Sequence, residues 1–170
     1  DSFQILQGEH WCLYGPNGAG KSLLASLLMG KRLESGSYVS YRDGFEPARD
    51  AHIVSFEEQQ RLWVRDNRLD ISEYRANAQD EGTVVTRLIE SSRQANQQDP
   101  GLLKELLETL GLVAVSGKGI RYLSSGQVRR VLLARGLYAW REGVPQLLIL
   151  DDPLESIDKE SQKRIMVCIE

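Results

Sequence analysis

Apolar and polar positions follow several different rhythms along the 170-residue chain. The run LLIL, Leu147 to Leu150, is unbroken by any polar residue and ends on two carboxylates, Asp151 and Asp152. Such a run reads as a strand buried on both faces. HWCLY (His10 to Tyr14) and AHIVSF (Ala51 to Phe56) read as further strands, and GSYVSYRDG (Gly36 to Gly44) as strand and turn. SLLASLLMG carries leucines at helical spacing and predicts a helix stopping at Gly30. In DPGLLKELLETLG, Asp99 can cap, Pro100 fits the first turn, Leu102, Leu103, Leu106, Leu107 and Leu110 share a face, and Gly111 stops the helix. SSGQVRRVLLARGLYAW is another helix, whereas residues 59–98 are polar, with weak helical segments such as TVVTRLIESS. The order predicts an α/β fold: an α/β core of residues 1–58 and 122–170, interrupted by a helical subdomain of residues 59–121.

Composition narrows the class. Hydrophobic residues make up 41 % of the chain, and 21 basic against 24 acidic residues leave a net charge of −3. This is a folded domain whose balance argues against a dedicated nucleic-acid binder. Cys12 and Cys168 stand in apolar surroundings at opposite ends of the sequence, as small core residues in a reducing compartment do. No apolar run approaches the roughly 20 residues of a membrane helix, and no signal peptide is visible. Any membrane part is expected from a partner, with this chain in the cytoplasm or peripheral on the inner membrane face. Trp11, Trp63 and Trp140 read as packing residues, His10 and His52 as strand residues, and the arginines of 61–75 as a solvated helical face.

The chemistry begins with GPNGAGKS: Gly15, Pro16, Asn17, Gly18, Ala19, Gly20, Lys21 and Ser22 match G-x-x-x-x-G-K-[ST] in full. Glycines let backbone N–H groups turn inward around a polyphosphate, and the following helix adds the positive end of its dipole. Lys21 would reach the β- and γ-phosphates and Ser22 would offer its hydroxyl to Mg²⁺. Such a loop needs an acidic residue at the end of a buried strand for the same ion, and Asp151 fits. Asp152 then stands where a carboxylate can align or deprotonate the attacking water, or where it simply caps the turn ahead of Pro153.

A third motif separates this chain from other phosphate-loop proteins. LSSGQ (Leu123, Ser124, Ser125, Gly126, Gln127), followed by VRRVLLARGL, closely resembles the signature and following helix of ABC-type ATPases, usually LSGGQ. Ser124 and Gln127 also have the spacing of a helix capping box. LESID resembles that family's D-loop, with Asp158 at its acidic position, so the resemblance runs across nearly the whole chain. It implies a P-loop NTPase of the ABC type with a mostly parallel sheet, binding ATP and Mg²⁺. It also implies a head-to-tail pairing in which the signature meets the γ-phosphate held by a second cassette, either a homodimer or a tandem. YLSSGQVRRVLL, LLILDDP and SFEEQQRLW are, further, similar to the ModF-type, photorepair-like ATP-binding proteins, which are linked by name to molybdenum transport.

Four departures from the family pattern carry consequences. Asp152 replaces the usual Glu, one methylene shorter, so that length alone predicts retained or raised activity for Asp152→Glu. Ser125 replaces the usual glycine. The Q-loop register places Glu58 at the usual Gln position among the metal-site residues, with Gln59 and Gln60 next. The chain also begins after the family's adenine-stacking aromatic and ends before its switch histidine, as a part of a longer protein would. The resemblance implies ATP hydrolysis driving a transport complex with a membrane permease. Two other uses stay open: a soluble ABC ATPase acting on another protein or nucleic acid, and a regulatory module that clamps ATP and hydrolyses it slowly.

Overall fold

Helix α1, Lys21–Leu28, stops at Gly30, whose φ of 78° lies in the left-handed region that a Cβ disfavours. Gly30 N–H donates to Leu27 O at 2.9 Å and Lys31 N–H to Ser26 O at 3.1 Å, which satisfies two of the helix's last carbonyls. Further along, the helix over Pro100–Thr109 ends on the same pair of bonds, from Gly111 to Glu108 and from Leu112 to Leu107. It starts as predicted, with Asp99 Oδ1 accepting from Leu102 N–H at 3.0 Å.

The computed structural model describes residues 3–31, 39–68, 82–141 and 143–152, together with 159, 160, 162, 163 and 166. Contacts divide the chain into two compact units, Asp1–Ile53 with Arg141–Ile149, and Val54–Trp140 with Leu150–Glu170.

The first unit holds the phosphate loop, α1 and the short helix α2, Pro47–Asp50. Tyr41 stacks on Phe45 with ring centroids 5.4 Å apart and donates its hydroxyl to Leu27 O, fastening the segment before α2 to the end of α1. Asp50 is wholly buried and accepts from Arg49 Nη2 and Glu46 N–H, with Arg141 Nη2 at 3.6 Å.

Strands β1, Ala51–Val54, and β2, Leu147–Leu150, pair with each other. Asp151 N–H donates to Val54 O at 2.9 Å, so the carboxyl ends of the strands meet and the pair runs parallel. β2 is half-buried, not buried on both faces as its apolar run suggests.

The sequence pattern at His10–Tyr14 is not realised as a strand. These residues are irregular and exposed, Tyr14 to 99 %, because a strand needs a neighbouring backbone and β1 and β2 are the only strands among the described residues. Cys12 is accordingly exposed and not a core residue, and His10 is not in a strand, whereas His52 is. Trp11 and Trp140 are also about half exposed, at 52 % and 48 %, leaving Trp63 as the more covered of the three. In GSYVSYRDG the turn forms at Asp43 and Gly44, residues 39–42 are irregular, and 36–38 lie outside the described residues, as does Cys168.

The second unit is helical: α3 (Phe56–Arg68), α4 (Val85–Glu90), α5 (Pro100–Thr109) and α6 (Ser125–Ala139), with 3₁₀ turns at Ala95–Gln97, Val113–Val115 and Ile120–Tyr122. Helix α6 packs against α3, α4 and α5. It is buried on most sides because Val128, Val131, Leu132, Leu133 and Ala134 leave no continuous polar face. Val85, Leu88 and Ile89 of α4 and Leu106 and Leu107 of α5 complete this core. Each fully buried Val, Leu or Ile stabilises it by about 1.5–3 kcal/mol relative to exposure.

The solvated face expected of the arginines of 61–75 holds for Arg61 and Arg65, and Arg75 lies outside the described residues, but the neighbouring acid Asp66 is fully buried. Asp66 accepts from Thr83 N–H at 2.7 Å and from Arg121 Nε at 3.2 Å, joining the end of α3 to the turn ahead of the signature. A carboxylate can be buried there because both partners satisfy it.

Candidate nucleotide-binding site

Residues Gly15–Ser22 lead into the start of α1. Gly18 and Gly20 have φ of 83° and 90°, and among the described residues beyond its chain neighbours a Cβ at either would meet no atom within 4 Å. Gly20, the residue capping α1, takes the left-handed backbone that turns the chain from loop into helix. Ala19 N–H donates to Pro16 O at 3.2 Å, tightening the loop. Lys21 Nζ donates to Gly15 O at 2.9 Å and Pro16 O at 3.1 Å, so the cation is held over its own loop by backbone oxygens. Ser22 follows on the first turn of α1.

The remaining residues singled out in the sequence fall in the second unit. Leu123 is buried, while Ser124 and Ser125 are exposed at the start of α6. Ser124 Oγ accepts from Gln127 N–H at 3.3 Å, and Gln127 Oε1 accepts from Ser124 N–H at 2.9 Å. The reciprocal capping box is therefore formed, and Gly126 completes the first turn.

Asp151 is half-buried beyond the end of β2, and Asp152 is exposed next to it. Asp152 has a φ of 48°, and its carbonyl oxygen accepts from Arg129 Nη1 at 2.8 Å. Asp158 lies outside the described residues.

Glu58 stands in the first turn of α3, where its N–H donates to Ser55 Oγ at 3.2 Å. Its carboxylate lies 3.7 Å from Arg61 Nη1 and 4.0 Å from Arg135 Nη1. Burial pushes the Arg135 guanidinium below its usual range, Glu58 opposes that shift, and Arg65 adds to it. Gln59 is 1 % exposed, and neither polar atom of its amide has a hydrogen-bond partner among the described residues.

Arg129 is the residue that motif reading passes over. The signal for it was present: an arginine between Val128 and Val131, on the apolar side of a helix, requires an acceptor inside the fold.

A complete G-x-x-x-x-G-K-[ST] loop at a helix start, with a parallel strand pair and a helical unit, defines a P-loop NTPase fold. The chain belongs to the ABC transporter family, whose profile matches residues 1–155. It is similar to the ABC transporter ATP-binding protein ModF of Escherichia coli (strain K12), at 29 % identity over 93 % of this chain and 30 % of that protein. It is 30 % identical to the Fe(3+) ions import ATP-binding protein FbpC of Streptomyces avermitilis, over 96 % of this chain and 43 % of the relative. With the zinc import ATP-binding protein ZnuC of Paracoccus denitrificans it shares 32 % identity, over 92 % of this chain and 51 % of the relative. The chain thus spans between 30 % and 51 % of the length of these relatives.

Proposed function

We propose that this chain is the nucleotide-binding part of an ABC-type ATPase that binds and hydrolyses MgATP. The observation that carries the reading is the complete loop Gly15–Ser22, with Gly18 and Gly20 in left-handed conformations and Lys21 at the start of α1. Its open backbone and single cation suit a polyphosphate. Ser22 hydroxyl and Asp151 carboxylate are hard oxygen donors of the kind Mg²⁺ takes, and they would hold it. The bound ion would offset charge between the phosphates. Lys21 would draw its ammonium from the loop carbonyls to the phosphates. Asp152 would align a water molecule and accept its proton. Glu58, engaged by two arginines, is the weakest of the expected metal ligands.

The capped start of α6 from Leu123 to Gln127 would face the nucleotide of a second cassette, with Asp158 in the same interface. Residues 1–58 and 122–170 would form the core that holds the nucleotide, and 59–121 the helical subdomain. Transport is the favoured use, with a membrane permease as partner. FbpC and ZnuC are named for iron and zinc import, and the likeness to ModF supports a molybdenum-linked route. No helix among the described residues is long and apolar enough to cross a membrane, so the permease would be another chain or segment. An ATP clamp with slow hydrolysis is the second reading, favoured by the short Asp152 side chain.

The test is ATP titration and phosphate release by the full-length protein, with and without Mg²⁺. Mg²⁺-dependent binding with turnover supports the proposal. Tight binding without turnover selects the clamp, and no ATP binding at millimolar concentration overturns both.

A further inference from the structure

Asp152 has the only positive φ of any non-glycine residue among the described residues. This region disfavours side chains with a Cβ, and Asp and Asn enter it more readily than other residues because their short polar groups bond locally. A conformation of this kind persists when the surroundings impose it.

The surroundings here include a buried cation. Arg129 is 4 % exposed, and its Nη1 donates to the carbonyl oxygen of Asp152 at 2.8 Å. A charged donor in a poorly solvated setting makes a shorter and stronger bond than a neutral one. The acceptor is the backbone and not the carboxylate, so the bond acts on the turn of the chain at residue 152 and does not itself engage the carboxylate. Arg129 belongs to α6, the helix that Ser124 caps, so the carboxylate-bearing turn is tied to the same helix as the signature.

We infer that Arg129 is a positioning residue for hydrolysis: it holds residue 152 in the left-handed turn that aims its carboxylate, and so selects Asp over Glu at this position. The inference rests on the reading of Asp152 as the water-aligning group. It reverses the expectation from side-chain length. Glu reaches farther but is less at ease in this backbone, so Asp152→Glu lowers turnover.

The experiment uses the full-length protein carrying Arg129→Gln, Arg129→Lys, Asp152→Asn, Asp152→Glu or the pair Arg129→Gln with Asp152→Gly. Arg129→Gln is expected to lower kcat roughly 10- to 10²-fold, the scale of a misplaced catalytic group, with MgATP Kd within about three-fold. Arg129→Lys, which keeps one charged donor, recovers part of that loss. Crystal structures then read the backbone: φ at position 152 turns negative in Arg129→Gln and stays positive in the pair, where the added Asp152→Gly change removes the Cβ.

Parent kcat in folded Arg129→Gln, or a positive φ at Asp152 without Arg129, overturns the inference. If Arg129→Gln does not fold, Arg129→Lys carries the comparison, and a parent kcat with a negative φ at position 152 overturns it there. Parent-rate hydrolysis by Asp152→Asn overturns the reading beneath it. A normal loss in Asp152→Asn beside an unaffected Arg129→Gln overturns the inference alone.

Discussion

Lys21 Nζ donates to the carbonyl oxygen of Gly15 at 2.9 Å, so the loop's cation closes back on its first residue. The carbonyl of Pro16 takes a second bond at 3.1 Å. Both acceptors are backbone oxygens, and the side chain fills no part of the core. Lys21→Ala is therefore expected to remove nucleotide binding while the fold survives. Calorimetric ATP titration beside circular dichroism decides it, and unchanged ATP affinity would falsify the site assignment.

Ser124→Arg separates two roles of one residue. Loss of the capping box is expected to destabilise the protein by about 1 kcal/mol, visible as a small drop in Tm. ATP binding by a single protomer is expected to stay near the parent value, while ATP-dependent pairing is blocked by a bulky cation at the exposed helix start. Light scattering with and without ATP measures this; a normal ATP-dependent dimer refutes the role in trans.

Asp151 and Asp152 are adjacent, yet their substitutions are expected to differ. Asp152→Asn keeps MgATP affinity within a few-fold and lowers turnover by roughly 10²–10⁴, as loss of a general base does. Asp151→Asn weakens the Mg²⁺-dependent part of binding by removing a charge from the metal site. Titrations in Mg²⁺ and in chelator, beside phosphate-release rates, resolve the two. Equal effects of both substitutions on Mg²⁺-dependent binding would contradict the division of labour.

Arg121→Ala strands the buried Asp66 carboxylate, whose Oδ2 it bonds at 3.2 Å. Breaking a buried pair by removing one partner destabilises by about 3–5 kcal/mol. Urea denaturation of Arg121→Ala measures the loss, and a change below about 1 kcal/mol, the scale of an exposed pair, shows that Asp66 is solvated after all.

Asp50 makes stability pH-dependent. The side-chain bonds from Arg49 hold its carboxyl below the usual range, helped by Glu46 N–H and the charges of Arg49 and Arg141; burial works the other way. A carboxylate depressed in the folded state contributes stability that is fully present above its unfolded value of about 3.9 and is lost as pH falls through the folded value. Asp50→Asn should accordingly destabilise at pH 7 and flatten the acid limb below about pH 4. Denaturation midpoints across pH 2.5–7, for which roughly half-unit steps suffice, give the comparison. An unchanged acid limb in Asp50→Asn means that other carboxylates set it.

Bonds that close within a few residues were readable from the chain alone. Asp99 on Leu102, Ser124 with Gln127, and the glycine stops at Gly30 and Gly111 all join partners three to five residues apart, so the local order of residue types is enough to specify them. The loop Gly15–Ser22 belongs with these, because consecutive residues build it. Strand placement depends instead on which backbone lies alongside. HWCLY has the residues of a strand without becoming one, and LLIL becomes a strand with one parallel neighbour and only partial burial. Residues 55 apart in sequence meet at Asp66 and Arg121, and 23 apart at Arg129 and Asp152. The apolar neighbours of Arg129 call for an acceptor, but no local pattern names Asp152 as that acceptor or pairs Asp66 with Arg121, since each contact forms only once helix packing brings the partners together and excludes the water that would otherwise satisfy them.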